Sequence, residues 1–146
     1  MRRFGGRAVD EPSALPVSAL VATVAAIVQP EARAARVALT IGAVDPDWIV
    51  TGQEVELAQA IVNLVRNAVQ ACDGRVTLTG AADPDAIHLT VANRCPDRPV
   101  AHDGMGVGTL VAQAIVAAHG GTLTRTSGAD ALVRATLTLP RVGPGA

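Results

Sequence analysis

The sequence predicts a two-layer α/β (α+β) sandwich, a sheet with one wet face and three helices over the other. First, four runs alternate apolar and polar residues: Val37-x-Leu39-x-Ile41, Val76-x-Leu78, Ile87-x-Leu89-x-Val91 and Val133-x-Ala135-x-Leu137-x-Leu139. Alternation of this kind marks strands packed on one side only. Second, three runs carry a helical period, at Leu20, Val24 and Ile27, at Leu57, Ile61, Leu64, Ala68 and Ala71, and along Leu110–Ala118. Third, 146 residues with 49% apolar and 17% charged content suffice for one domain with a real core.

Taken in order, residues 1–14 are Gly- and Arg-rich without a period and read as a linker or tail. The folded domain runs from 15 to 140. A helix from Pro16 to Val28 is stopped by Pro30. A half-buried strand spans 36–42. Asp45-Pro46-Asp47 makes a turn into a short strand at Trp48–Val50. Thr51 caps the long second helix, with Glu54 completing a capping box. Val76–Thr79 and Ile87–Ala92 form a hairpin around Asp83-Pro84-Asp85. Gly104–Gly108 leads into the third helix, which ends at Gly120-Gly121. Thr122–Thr126 then pairs with Leu132–Leu139, and residues 141–146 are a loose tail. No internal repeat is visible.

Composition excludes several classes. The formal net charge is −1, which gives no electrostatic case for nucleic acid or an anionic membrane. There is no lysine; the strongly basic residues are all arginine. The aromatics are Phe4 and Trp48 alone, so base-stacking platforms are missing. Cys72 and Cys95 form neither a CxxC pair nor a disulfide framework. The apolar run Leu15–Val28 is too short to cross a bilayer, so a cytoplasmic domain is expected, or a soluble piece of something larger.

Two constellations carry chemistry. Gln59, Asn63 and Asn67 recur every four residues and form an amide stripe beside the apolar face of the second helix. Asparagine disfavours helix interiors because its side chain competes for the backbone. Two readings fit: a solvated face that tolerates asparagine, or a ligand. A carboxamide oxygen takes a hard cation such as Mg²⁺, and its NH₂ donates to phosphate. The second constellation is Gly104-Met105-Gly106-Val107-Gly108, opening onto a helix whose N-terminus presents free N–H groups to anions. Glycine-rich turns are common, and this one is neither a Walker A loop nor a dinucleotide-binding fingerprint.

The order of these elements adds what neither has alone. Gln59-x-x-x-Asn63-Leu64-x-x-Asn67-Ala68-x-x-Ala71, a hairpin ending at Asn93, then GMGVG and a helix closing on His119-Gly120-Gly121 together resemble the ATP-binding catalytic domain of sensor histidine kinases, in the GHKL superfamily. The asparagine run is most similar to the nitrogen- and oxygen-sensing type, and the match covers nearly the whole chain. The resemblance implies a Bergerat fold, a mixed and mostly antiparallel sheet of about five strands under three helices, with ATP and Mg²⁺ as ligands. It implies Asn63 and Asn67 as the catalytic pair, Asn67 as the metal ligand and Asn63 near the phosphates. Asn93, Gly104, Met105, Gly106, Val107, Gly108 and Thr109 complete the nucleotide site. The implied partners are a histidine-bearing dimerisation domain, on the same or another chain, and a response-regulator receiver domain. Neither nucleic acid nor direct membrane contact is implied.

The chain departs from the family pattern in places. The first glycine box, DxGxG in the family, reads Asn93-Arg94-Cys95 here, so the adenine acceptor is neutral rather than charged and its hydrogen bond weaker. Only residues 94–103 separate Asn93 from Gly104, a short lid with Arg94, Arg98 and His102 as its basic residues; each of these is otherwise an ordinary solvated loop residue. Gln59 stands where hydrolytic members carry a glutamate base, and glutamine cannot take a proton from water. None of His88, His102 and His119 sits in a helical phospho-acceptor setting, so a kinase reading makes this chain the catalytic half only. Two alternatives stay open: an interaction or phosphotransfer module that has lost ATP, and a free-standing serine kinase of the anti-sigma type.

Overall fold

The computed structural model describes residues 12–71, 74–94, 107–127 and 132–142. Strand β1 (Ser13–Pro16) leads directly into helix α1 (Val17–Ala34). Strands β2 (Ala38–Ile41) and β3 (Ile49–Gly52) precede helix α2 (Glu54–Ala71). The hairpin β4 (Arg75–Ala82) and β5 (Ala86–Arg94) follows, then helix α3 (Val107–Ala118) and the hairpin β6 (Thr122–Ser127) and β7 (Leu132–Pro140). The main sheet has five strands in the order β2-β4-β5-β7-β6. Among the described strands only β2 and β4 run parallel, and the connection between them carries α2. The expected mixed, mostly antiparallel five-stranded sheet under three helices is what the chain forms.

Alternation decides which strand face is dry. Val76 and Leu78 of β4, Ile87, Leu89 and Val91 of β5, and Leu137 and Leu139 of β7 are buried together against the helices. Register enforces this: Leu89 lies opposite Leu137 and Val91 opposite Leu78, so a slip of one residue would turn the whole apolar set to water. Helix α2 lies between α1 and α3 and over β4 and β5. Its burial is therefore wider than the expected stripe. Ala58, Ala60, Val62, Val65 and Val69 join Leu57, Ile61, Leu64 and Ala68 in the core.

Helix α1 corrects the sequence reading in two respects. Pro30 does not stop it, because both Pro30 and Ala26, whose carbonyl loses the Pro30 N–H, face water. Ile27 is 41% exposed, and the buried stripe is Val17, Leu20, Val21, Val24, Val28 and Ala32. The helix closes through Val37 N–H to the Ala32 carbonyl (2.8 Å) and Arg36 N–H to the Arg33 carbonyl (3.0 Å). This 6→1, 5→2 pattern places Arg36 in the left-handed region, at φ 62°.

The entry to α2 is also different from the capping box expected. Thr51 belongs to β3, opposite Ala14 of β1, and the helix starts at Glu54 behind Gln53. Strand β3 overlaps the short strand expected at Trp48–Val50, but its partner β1 had no signal in the sequence, and nor did the small sheet the two form. This sheet ties the start of the domain to the start of α2, with Leu15 and Val50 paired and buried. The two Asp-Pro-Asp turns form as expected. Asp45 Oδ1 accepts the Asp47 N–H at 2.8 Å, and Asp83 Oδ1 accepts those of Asp85 and Ala86, each at 2.9 Å. Beyond β7, Arg141 and Val142 still bond through their N–H groups to the carbonyls of Asp85 and Ile49.

Candidate functional site

The site forms where the later turns of α2 meet the first turn of α3. Helical spacing sets Gln59, Asn63 and Asn67 in one row; Gln59 is exposed, Asn63 and Asn67 half-buried. Asn67 reaches Thr109. Its Nδ2 donates to Thr109 Oγ1 at 2.6 Å, so this bond leaves the Oδ1 acceptor unused. Thr109 is only 7% exposed, so a hydroxyl has been placed in the dry seam between the two helices. A buried hydroxyl needs a partner, and Asn67 is one.

Asn93 is the second buried polar side chain. It continues the face of β5 that carries Ile87, Leu89 and Val91, which is the helix-covered face, and is 5% exposed. Strand alternation thus turns an amide, rather than another aliphatic group, into the space beneath the helices. A buried carboxamide at the end of an apolar row is costly unless it is hydrogen-bonded. Sequence reasoning placed Asn93 at a strand end; it did not show that the side chain points inward.

Val107 and Gly108 open α3, whose first-turn N–H groups have no intrahelical partners. Gly104, Met105 and Gly106 lie outside the described residues, as do Cys95, Arg98 and His102, and with them nearly all of the short lid. Arg94 is the exposed last residue of β5.

A magnesium nucleotide would suit the residues present. Among the described residues no group of three or more His, Cys, Asp or Glu could hold a metal ion. Mg²⁺ keeps several waters and is commonly held by one or two side chains together with substrate phosphates. A single amide oxygen at Asn67 beside a helix N-terminus suits that arrangement.

The far end of the same two helices holds a residue that the sequence reading took only as part of a helix end. His119 follows the last residue of α3. Its Nδ1 lies 2.8 Å from the Ile115 carbonyl and its Nε2 3.1 Å from the Gln53 N–H. A carbonyl only accepts and an amide N–H only donates, so Nδ1 carries the proton and Nε2 is the acceptor. Gly120 takes φ 78°, and Gly121 N–H closes on the Val116 carbonyl at 2.9 Å. The HisGlyGly run therefore ends α3 and pins it to the start of α2. The spacing signalled a helix end; the long-range bond to Gln53 had no signal.

Residues 52–143 match the family described as histidine kinase-, DNA gyrase B- and HSP90-like ATPases. No curated protein sequence matches the chain. Solved structures do. The nucleotide-free catalytic domain of histidine kinase ThkA is similar with a TM-score of 0.78 at 18% identity, over 91% of this chain and 99% of that one. The mycobacterial sensor histidine kinase MprB gives 0.71 at 20% identity, over 90% and 98%. Full-length ShkA in complex with AMPPNP gives 0.74 at 24% identity, over 94% of this chain and 33% of that one. The chain belongs to the histidine kinase-, gyrase B- and HSP90-like ATPase family and has the fold of histidine kinase catalytic domains.

Proposed function

We propose that the chain is the ATP-binding catalytic domain of a two-component sensor histidine kinase, of the nitrogen- and oxygen-sensing type, presenting Mg-ATP to a histidine on a separate dimerisation segment. The observation that carries this reading is the Asn67 carboxamide, half-buried where α2 meets the first turn of α3, with Nδ2 committed to Thr109 and Oδ1 left as an acceptor. Asn67 would hold Mg²⁺, Asn63 would lie near the phosphates, and the residues from Gly104 to Thr109 would cradle them at the start of α3. Buried Asn93 would accept from the adenine amine. When bound, the ion offsets charge on the triphosphate; the chain itself binds and orients.

Two further features support a kinase half rather than a hydrolase or a complete kinase. Gln59, one turn before Asn63, is exposed and has no basic function. His88 lies within β5 and His119 is held by backbone groups on both ring nitrogens, so neither of these two sits on a helix as a phospho-acceptor would. Among the described residues no helix is long and apolar enough to cross a membrane. The kinase reading itself calls for a cytoplasmic domain with a receiver domain as partner. The test is calorimetric titration with AMPPNP in Mg²⁺. Binding that is abolished or weakened at least ten-fold by Asn67→Ala supports the reading, and no heat from the unaltered chain at millimolar nucleotide sinks it.

A second reading keeps the fold and drops the nucleotide. Asn93 and Cys95 motivate it, since the first glycine box is degenerate at both positions and the lid is short. The chain would then be an interaction or phosphotransfer module. In that case the pair Asn93→Asp and Cys95→Gly should create an affinity the unaltered chain lacks. Low-micromolar binding by the unaltered chain rules this second reading out.

A further inference from the structure

We propose that Thr109 is a positioning residue for the metal end of the site: its hydroxyl anchors the Asn67 carboxamide in the seam between α2 and α3, with the oxygen outside the bond. The inference rests on the nucleotide reading above. A carboxamide turned by half a revolution fills the same space but exchanges an acceptor for a donor. With Oδ1 outward, Asn67 can coordinate Mg²⁺; with Nδ2 outward, it turns two N–H groups toward the ion. In the structure Nδ2 is the bonded end, and Oδ1 lies outside that bond.

Thr109 holds the bonded end in place. It is buried in the first turn of α3, one residue after the helix glycine Gly108, and its Oγ1 lies 2.6 Å from Asn67 Nδ2. Asn67 and Thr109 are 42 residues apart in sequence, so the bond also sets how α3 approaches α2. Valine has the shape of threonine without its hydroxyl. A hydroxyl there is otherwise hard to explain, because desolvating it opposes folding unless it is bonded. Groups that orient a metal ligand, without touching the metal, typically change metal affinity by roughly ten- to a hundred-fold when removed.

The experiment is calorimetric titration of the full chain with AMPPNP, in Mg²⁺ and again in EDTA, on the unaltered protein, Thr109→Val, Thr109→Ser, Asn67→Ala and the Asn67→Ala/Thr109→Val double variant. Valine keeps the shape and loses the hydroxyl, and Thr109→Ala replaces it should valine prevent folding. The expected result is a fall of roughly ten-fold in Mg²⁺ with little change in EDTA. Serine should restore most of it, and Thr109→Val should add nothing once Asn67 is alanine. Three outcomes overturn the inference while leaving nucleotide binding standing: full affinity in Thr109→Val, equal losses with and without Mg²⁺, or an undiminished loss in the Asn67→Ala background. No binding by the unaltered chain in either buffer overturns the nucleotide reading and this inference with it.

Discussion

His119 and Gln53 are joined across 66 residues by a 3.1 Å hydrogen bond from the Gln53 N–H to the imidazole Nε2. The imidazole also lies against Gly52, where an added Cβ would come within 2.5 Å of His119 Cδ2 and 2.7 Å of Leu57 Cδ1. One side chain thus closes α3, caps the approach to α2 and fills the space a glycine leaves. His119→Ala removes the acceptor and opens a void, so unfolding stability should fall by about 2–3 kcal/mol. A urea titration checks it: the midpoint drops at an unchanged slope. A variant as stable as the parent would show that the bond is dispensable.

Gly121 has a different constraint. A Cβ there would collide with the Thr138 carbonyl oxygen, which is backbone and cannot swing away, while also crowding Leu139 and Val116. Gly121→Ala must therefore push α3 off β7 and should cost about 3 kcal/mol, the upper end for overpacking. Thermal unfolding by circular dichroism reads this as a large drop in midpoint. Gly74, where nothing lies within 4 Å of an added Cβ, has no such collision, and its φ of 102° is the separate obstacle to alanine there.

Much of this was legible because it is periodic. Ile87, Leu89 and Val91 declared their face by alternation, and Leu57, Ile61 and Leu64 by helical spacing. The same rules place Asn63 and Asn67 together on α2 and, read one step further, turn Asn93 inward. What was not legible is non-local. Strand β1 exists because Ser13–Pro16 finds β3, some 35 residues away, and four residues carry no period long enough to announce it. Pro30 looked like a helix stop because the rule assumes the lost hydrogen bond matters; at a solvent-facing position water replaces it. The Thr109–Asn67 bond joins two motifs that each made sense alone.

Helices α1 and α3 end in the same hydrogen-bond pattern, but Gly120 occupies the left-handed position in one and Arg36 in the other, at φ 78° and 62°. A residue with a Cβ is disfavoured there by roughly 1–2 kcal/mol. Arg36 is exposed, so its replacement disturbs no packing. Arg36→Gly should stabilise the domain by about 1 kcal/mol, the gain being reduced by glycine's greater freedom in the unfolded chain. Arg36→Ala keeps the Cβ and should give none of that gain. Paired denaturant titrations of the two variants separate the backbone effect from loss of the arginine charge.

Glu31 and Arg66 join α1 to α2 at the surface, with Arg66 Nε and its terminal nitrogen reaching the two carboxylate oxygens at 2.8 and 2.7 Å. The hydrogen bond from Arg66, reinforced by its charge, holds the Glu31 carboxyl below the usual carboxylate range. A lowered acid binds its proton more weakly when folded than when unfolded. Its contribution is therefore complete above the ordinary glutamate range and is lost as pH falls through the lowered folded value. Both groups are exposed, so the effect is small and screened by salt. Glu31→Gln should flatten the acid limb of a stability–pH profile measured at low ionic strength, and leave it unchanged at 1 M salt. Asp83 is lowered in the same way, first by its hydrogen bond with His88, and remains in the variant. The acid limb should therefore shrink without vanishing, and a limb identical to the parent's at low salt would show that the pair adds nothing to folding.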